Sequence, residues 1–332
     1  MARVRQTIWM PIFALALATP NAWADTECGH LHGTFMQLTN AQSAWSDADW
    51  RRLFDQFEAL GVTNLFVQWT VLDRTAFFAT SRFKAPIKAT LPVILNLAAR
   101  SGVHVWVGLH LDTRYWEEIK KSPDLLQSYF RGRLQDLKRL LVDLDTGLAG
   151  TSFAGWYITD EIDDQTWEDL GKRAVLKQYL SDTVAQLKAK RPASKVAISG
   201  FTSSSSDPNL VGAFWADILK TSAIDLLLFQ DGVGEGKLAL GNVPSYYTSL
   251  AAVVHGTGAQ LGGVVELFSL MPDGKRLPGP IGRIRNQMAM AERLPDFPPV
   301  AFSVPDYMSD LAGRPAADLF SEFVSTRNIC PP

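Results

Sequence analysis

From His32 to the end of the chain, apolar segments rich in β-branched and aromatic residues alternate with segments of helical period, with no linker between them. The candidate strands are Thr34 to Thr39, Val62 to Val71, Val103 to Asp112, Phe153 to Glu161, Lys195 to Thr202, Ile224 to Asp231, Gln260 to Phe268 and Pro299 to Asp306. After the first of these, Ser46 is a candidate N-cap with Asp49 three places on. Trp50, Leu53, Phe54, Phe57 and Leu60 then fall on one helical face, and Gly61 is a stop. Further helices are expected over Leu91 to Arg100, Leu125 to Leu144, Trp167 to Lys190, Pro208 to Leu219, Tyr246 to His255, Ile281 to Leu294 and Ala316 to Val324. Eight strand–helix pairs in about 300 residues match a single-domain (β/α)8 TIM barrel of the α/β class in number, order and length. A doubly wound open sheet is the alternative, but nothing in that design calls for eight units.

The first residues read as a secretory leader over residues 1–24. Arg3 and Arg5 start it, Ile8 to Ala18 form its apolar run, and Ala22-Trp23-Ala24 offers small residues at a cut. That run falls short of the roughly 20 residues a membrane span needs, and no later stretch is long and apolar enough. The expected domain is therefore residues 25–332, periplasmic or secreted, with no integral membrane segment after cleavage. The chain has 32 Lys and Arg against 34 Asp and Glu, and losing Arg3 and Arg5 takes its net charge from -2 to -4. This argues against a nucleic-acid scaffold and for a neutral substrate. Cys28 and Cys330, the only two cysteines, lie at the ends of the mature chain in an oxidising compartment. A bridge between them is expected, which requires the first and last elements to be neighbours; two unpaired thiols are the alternative.

On such a barrel the chemistry belongs at the C-terminal ends of the strands. Polar and aromatic residues collect there: Gln37, Gln68, Trp69, His110, Asp112, Tyr157, Asp160, Glu161, Gln230, Asp231, Glu266 and Tyr307. Glu161 and Glu266 each end an otherwise apolar strand and should face one mouth. Hydrolysis of a glycosidic bond needs two carboxyl groups in different environments, one protonated to donate and one ionised to attack or to activate water. Asp160 should point the other way by strand alternation, and either tunes Glu161 or caps the following loop. His110 and Asp112 share a strand face as two metal ligands would, but no third ligand is evident, so no metal or other cofactor is expected. Flat aromatic rings at the strand ends suit the faces of sugar rings.

Four stretches resemble the barrel proteins catalogued as unknown-function family 4434, generally regarded as relatives of glycoside hydrolases. They are Gly33 to Leu38, Leu60 to Trp69, Gly155 to Asp163 and Phe229 to Gly234. More distantly, glutamates ending the fourth and seventh strands resemble the large retaining-glycosidase clan built on this barrel. That resemblance implies Glu161 as acid/base and Glu266 as nucleophile. It also implies a departure, because the clan usually carries Asn before the fourth-strand glutamate and this chain has Asp160. The expected function is an exported glycoside hydrolase of an oligo- or polysaccharide acting by retention. In this reading Gln37, Gln68, Trp69, His110, Asp112, Tyr157, Asp160, Gln230, Asp231 and Tyr307 bind substrate or tune the pair. The alternatives are a catalytically silent carbohydrate-binding barrel of an export or assembly machine, and a metal-dependent hydrolase or deacetylase using His110, Asp112 and a fourth-strand acid.

Overall fold

The computed structural model describes residues 30–84, 88–148, 151–203 and 206–326. The leader, Cys28 and Cys330 lie outside the described residues. Eight parallel strands close into a barrel: β1 (Gly33–Met36), β2 (Asn64–Val67), β3 (His104–Gly108), β4 (Phe153–Asp163), β5 (Lys195–Phe201), β6 (Leu226–Gln230), β7 (Gln260–Glu266) and β8 (Val300–Phe302). Each strand pairs with its sequence neighbours, and β8 closes on β1 through Val300 opposite Gly33. The connecting helices are α1 (Asp47–Leu60), α2 (Leu91–Arg100), α3 (Pro123–Gly147), α4 (Leu170–Lys190), α5 (Pro208–Ser222), α6 (Val243–Val254), α7 (Ile281–Ala291) and α8 (Arg314–Ser325). The expected fold is thus the observed one, and the open sheet is excluded by closure.

Local chemistry sets the element boundaries. Ser46 and Asp49 form a reciprocal capping box at the start of α1, and Gly61 ends that helix in the left-handed region at φ 75°. Trp50, Leu53, Phe54, Phe57 and Leu60 are buried against the barrel, as their spacing requires. Seven of the strands end earlier than expected, whereas β4 runs two residues past Glu161 to Asp163. After Gly108 the chain leaves the barrel, and His110–Leu111 pairs instead with Val71–Leu72 outside it.

The barrel interior is an aromatic plug. Phe35, Phe66, Trp106 and Tyr157 face inward with Ala197, Leu226, Leu228, Val264 and Val300. The Phe66 and Trp106 rings stack at 5.2 Å, and Phe35 meets Tyr157 edge-on at 5.3 Å. Because side chains alternate along a strand, the residues two places on form the next layer toward the mouth. Those residues are Gln37, Gln68, Ser199, Gln230, Glu266 and Phe302.

Between β5 and α5 the backbone approaches the helix closely. A side chain on Gly200 would run into the Trp215 ring, which is fully buried. Gly200→Ala is therefore expected to cost about 1–3 kcal/mol through overpacking, read as a lower denaturation midpoint at unchanged slope in urea unfolding. A neutral result would show that α5 can retreat from the sheet.

Candidate active site

Glu161 reaches the mouth through a local irregularity in β4. The β4–β5 register runs Ile158 opposite Ile198 and then Ile162 opposite Gly200, so β4 carries two extra residues over that span. Such bulges re-aim side chains at sheet ends. Here the bulge spans Thr159, Asp160 and Glu161. Thr159 Oγ1 donates to the His110 carbonyl at 2.8 Å, and Tyr115 OH donates to the Glu161 carbonyl at 2.8 Å. Gln230 Nε2, from β6, lies 3.3 Å from Glu161 Oε1. Burial raises the Glu161 carboxyl above its ordinary value, opposed by that amide and by the charge of Lys237.

Glu266 ends β7 and is only 5% exposed. Its Oε2 accepts the Glu235 N–H at 2.7 Å, and that N–H is delivered by the glycine-rich turn after β6. Gly234 is needed there, because a Cβ would lie 3.0 Å from Glu266 Oε2 and against the Phe268 carbonyl. Glu235 forks onto Arg276 at 2.8 and 2.7 Å, tying the β6 turn to the antiparallel hairpin Phe268–Leu270/Arg276–Pro278 that follows β7. Burial pushes Glu266 well above the usual carboxylate range, and the Asp231 carboxylate adds to the push. Asp231 is itself raised by burial, although Gln287 Nε2 donates to it at 2.5 Å and Val233 N–H at 3.1 Å.

Glu161 and Glu266 open onto one cavity of about 340 Å³, which Gln37, Gln230 and Tyr307 also line. Five of the residues chosen from the sequence therefore meet. Gln68 stands directly behind, its Oε1 accepting from Gln37 Nε2 at 2.8 Å. The cavity wall also includes Glu235, Lys237, Phe268, Arg276 and Phe302. Of these, Phe268 is the one that a strand-end aromatic signal points to. The loop residues Glu235, Lys237 and Arg276 carry no periodic signal and only enter through the fold.

The structure places the remaining choices outside this cavity. Trp69 is buried beneath the rim, its indole N–H bonded to the Leu38 carbonyl at 2.6 Å, so it offers no stacking face. Tyr157 lies one layer below the mouth, its hydroxyl 2.6 Å from Ser199 Oγ. Asp160 points out of the barrel into the helical layer. There it pairs with Arg133 at 3.1 Å and accepts the Tyr179 hydroxyl at 2.7 Å, both partners being buried. It ties the β4 bulge to α3 and α4. Removing one partner of such a pair costs about 3–5 kcal/mol, because the other charge is left buried. Asp231 is likewise turned outward, behind Glu266. His110 and Asp112 line a separate cleft of about 630 Å³ against α3. His110 Nε2 is 2.7 Å from the Asp73 carbonyl, and Asp112 is forked onto Arg114 at 3.0 and 2.8 Å. The described residues contain no group of three His, Cys, Asp or Glu side chains able to hold a metal ion.

A family model described as a domain of unknown function, DUF4434, matches residues 31–316. The chain belongs to the DUF4434 family. It is similar to "Uncharacterized protein YbcH" of Escherichia coli K12, 27% identical over 259 residues that cover 77% of this chain and 81% of YbcH. Among solved structures, this DUF4434 barrel is similar to a Bacteroides thetaiotaomicron protein named "putative alpha-L-fucosidase". That match has a TM-score of 0.77 at 18% identity, over 91% of this chain and 96% of that one. It is also similar to the endo-beta-1,4-mannanase of Thermotoga petrophila, with TM-score 0.61 at 14% identity over 90% and 77% of the two chains. A chitinase of Pseudoalteromonas aurantia gives TM-score 0.55 at 10% identity over 89% and 98%. These neighbours share the barrel.

The raised Glu266 gives a stability signature that needs no substrate. A carboxyl whose folded pKa exceeds its ordinary value of 4.5 binds more protons folded than unfolded. Its contribution is fully present below that value and is lost as pH rises through the raised one. Unfolding free energy should therefore decline from mildly acidic pH toward neutrality and beyond, and Glu266→Gln should flatten that decline. An unchanged pH profile in the variant would place the Glu266 carboxyl in contact with solvent.

Proposed function

We propose that the chain is a glycoside hydrolase acting on an oligo- or polysaccharide, with Glu161 and Glu266 as its reacting pair. The observation that carries this reading is that two inward-facing glutamates, from β4 and β7, open onto one cavity above an aromatic floor. The shared barrel of the mannanase and the chitinase supports it. In the retaining form, Glu266 attacks the anomeric carbon while the Glu161 carboxyl gives its proton to the departing oxygen. Glu161 then takes a proton from water, whose oxygen displaces Glu266. Gln230, beside Glu161, and Gln37, on Gln68, are placed to bond sugar hydroxyls, and Phe268 with Tyr307 supplies an aromatic wall whose rings lie 5.1 Å apart. Export belongs to the same proposal, through the leader at residues 1–24, together with a Cys28–Cys330 bridge and a periplasmic or secreted location.

Glu161→Gln and Glu266→Gln are each expected to lower reducing-sugar release by at least 10³-fold while leaving thermal unfolding cooperative. Full activity in both variants would remove the assignment, and binding to the same glycans without turnover in the parent would make the barrel a binding protein.

The pH–rate profile separates the two roles. An attacking Glu266 must be ionised, so the acidic limb of kcat/KM should lie above the ordinary carboxylate range. Asp231→Asn removes the charge that pushes Glu266 upward and should move that limb to lower pH. If the alkaline limb moves instead, Glu266 is the proton donor and the roles exchange.

A further inference from the structure

We infer that the saccharide taken at this mouth is anionic, and that the Lys237 ammonium receives its carboxylate or ester anion beside Glu161 and Glu266. The inference rests on the hydrolase reading and narrows its substrate class, against the neutral substrate that net charge alone suggests.

Lys237 lines the cavity with both glutamates and is half-buried. Its position is built rather than left to a free surface chain. The Lys237 N–H bonds the Gly232 carbonyl at 2.8 Å, and Gly232 sits in the left-handed region at φ 63°. The ammonium rests 3.3 Å from the centre of the Phe201 ring at the end of β5. That contact occupies one side of a group with three donors, and the same residue lines the cavity.

Lys237 and Arg276 are the two cations of the cavity wall, and Arg283 stands outside that wall. Arg276 is forked onto Glu235, and Arg283 donates to the carbonyls of Glu266 and Phe268 at 3.2 and 2.5 Å. Lys237, by contrast, has no carboxylate oxygen within 4.0 Å among the described residues. Ordering a lysine in a half-buried place costs side-chain entropy; the Phe201 ring and the charges of the two glutamates offset that cost, but neither glutamate closes onto the ammonium. A substrate anion would. Charge-assisted hydrogen bonds in a partly desolvated cleft are about twice as strong as neutral ones, so a neutral hydroxyl gains less from the same group.

The test is calorimetric binding to the full chain carrying Glu161→Gln, at low salt. The probes are oligosaccharide pairs that differ only at C6, glucuronate against glucose and mannuronate against mannose, with a sulfated arm beside them. The acidic member of at least one pair should bind about tenfold or more tightly. The preference should disappear with Lys237→Gln, persist in part with Lys237→Arg, and shrink as salt is raised. Tighter binding of the sulfated sugar than of the uronate would assign an ester anion. Equal binding of acidic and neutral members, a preference that survives Lys237→Gln, or binding of none of the probes would overturn the inference. Turnover of neutral glycans that Glu161→Gln abolishes, without any acidic preference, would reject this inference and keep the hydrolase reading. An acidic preference lost with Lys237→Gln in a parent that turns over none of the panel would do the reverse.

Discussion

Closure of eight parallel strands into one barrel is the constraint from which the rest follows. A closed ring leaves every strand one inner and one outer face, so inward residues stack in layers, and the layer nearest the C-terminal ends is where barrels of this kind carry their sites. In this chain the lower layer is aromatic, with Phe35, Phe66, Trp106 and Tyr157 filling the interior. Above it the C-terminal ends of β1, β2, β5, β6 and β7 present Gln37, Gln68, Ser199, Gln230 and Glu266. The floor excludes water from below, and burial of the acids above it displaces their pKa values.

The two glutamates are held differently. Glu161 is carried by a bulged strand whose outer side is anchored by Arg133 and Tyr179 through Asp160. Tyr179 is itself clamped flat on Phe130 of α3, with ring centres 4.0 Å apart. Glu266 instead depends on a backbone N–H from a glycine-rich turn and on Asp231 behind it. One acid is positioned by an outer ion pair, the other by a loop latch that includes the Glu235–Arg276 fork.

Three of the residues that fall outside the mouth share one cause. Trp69, Asp160 and Asp231 each neighbour an inward residue, Gln68, Glu161 and Gln230, and so face outward. Alternation counted from the aromatic layer would have separated them, as it did for Asp160. His110 and Asp112 keep the inward parity of Trp106, yet their strand stops at Gly108 and the chain departs to pair with Val71–Leu72. No local pattern announces where a strand leaves its barrel, because the decision is made by the neighbouring strand.

The amino-acid order by itself determined the eight-fold alternation, the capping box and stop of α1, and the two glutamates at the ends of β4 and β7. Each of these is a property of period or of near neighbours along the chain. Tertiary structure alone decided that the β6 turn and the β7 hairpin bring Glu235, Lys237 and Arg276 to the mouth. It also decided that Asp231 presses on Glu266, and that His110 with Asp112 belongs to another cleft. Those outcomes depend on loops that meet across the barrel and on charges that interact through space, and neither is encoded in spacing along the chain.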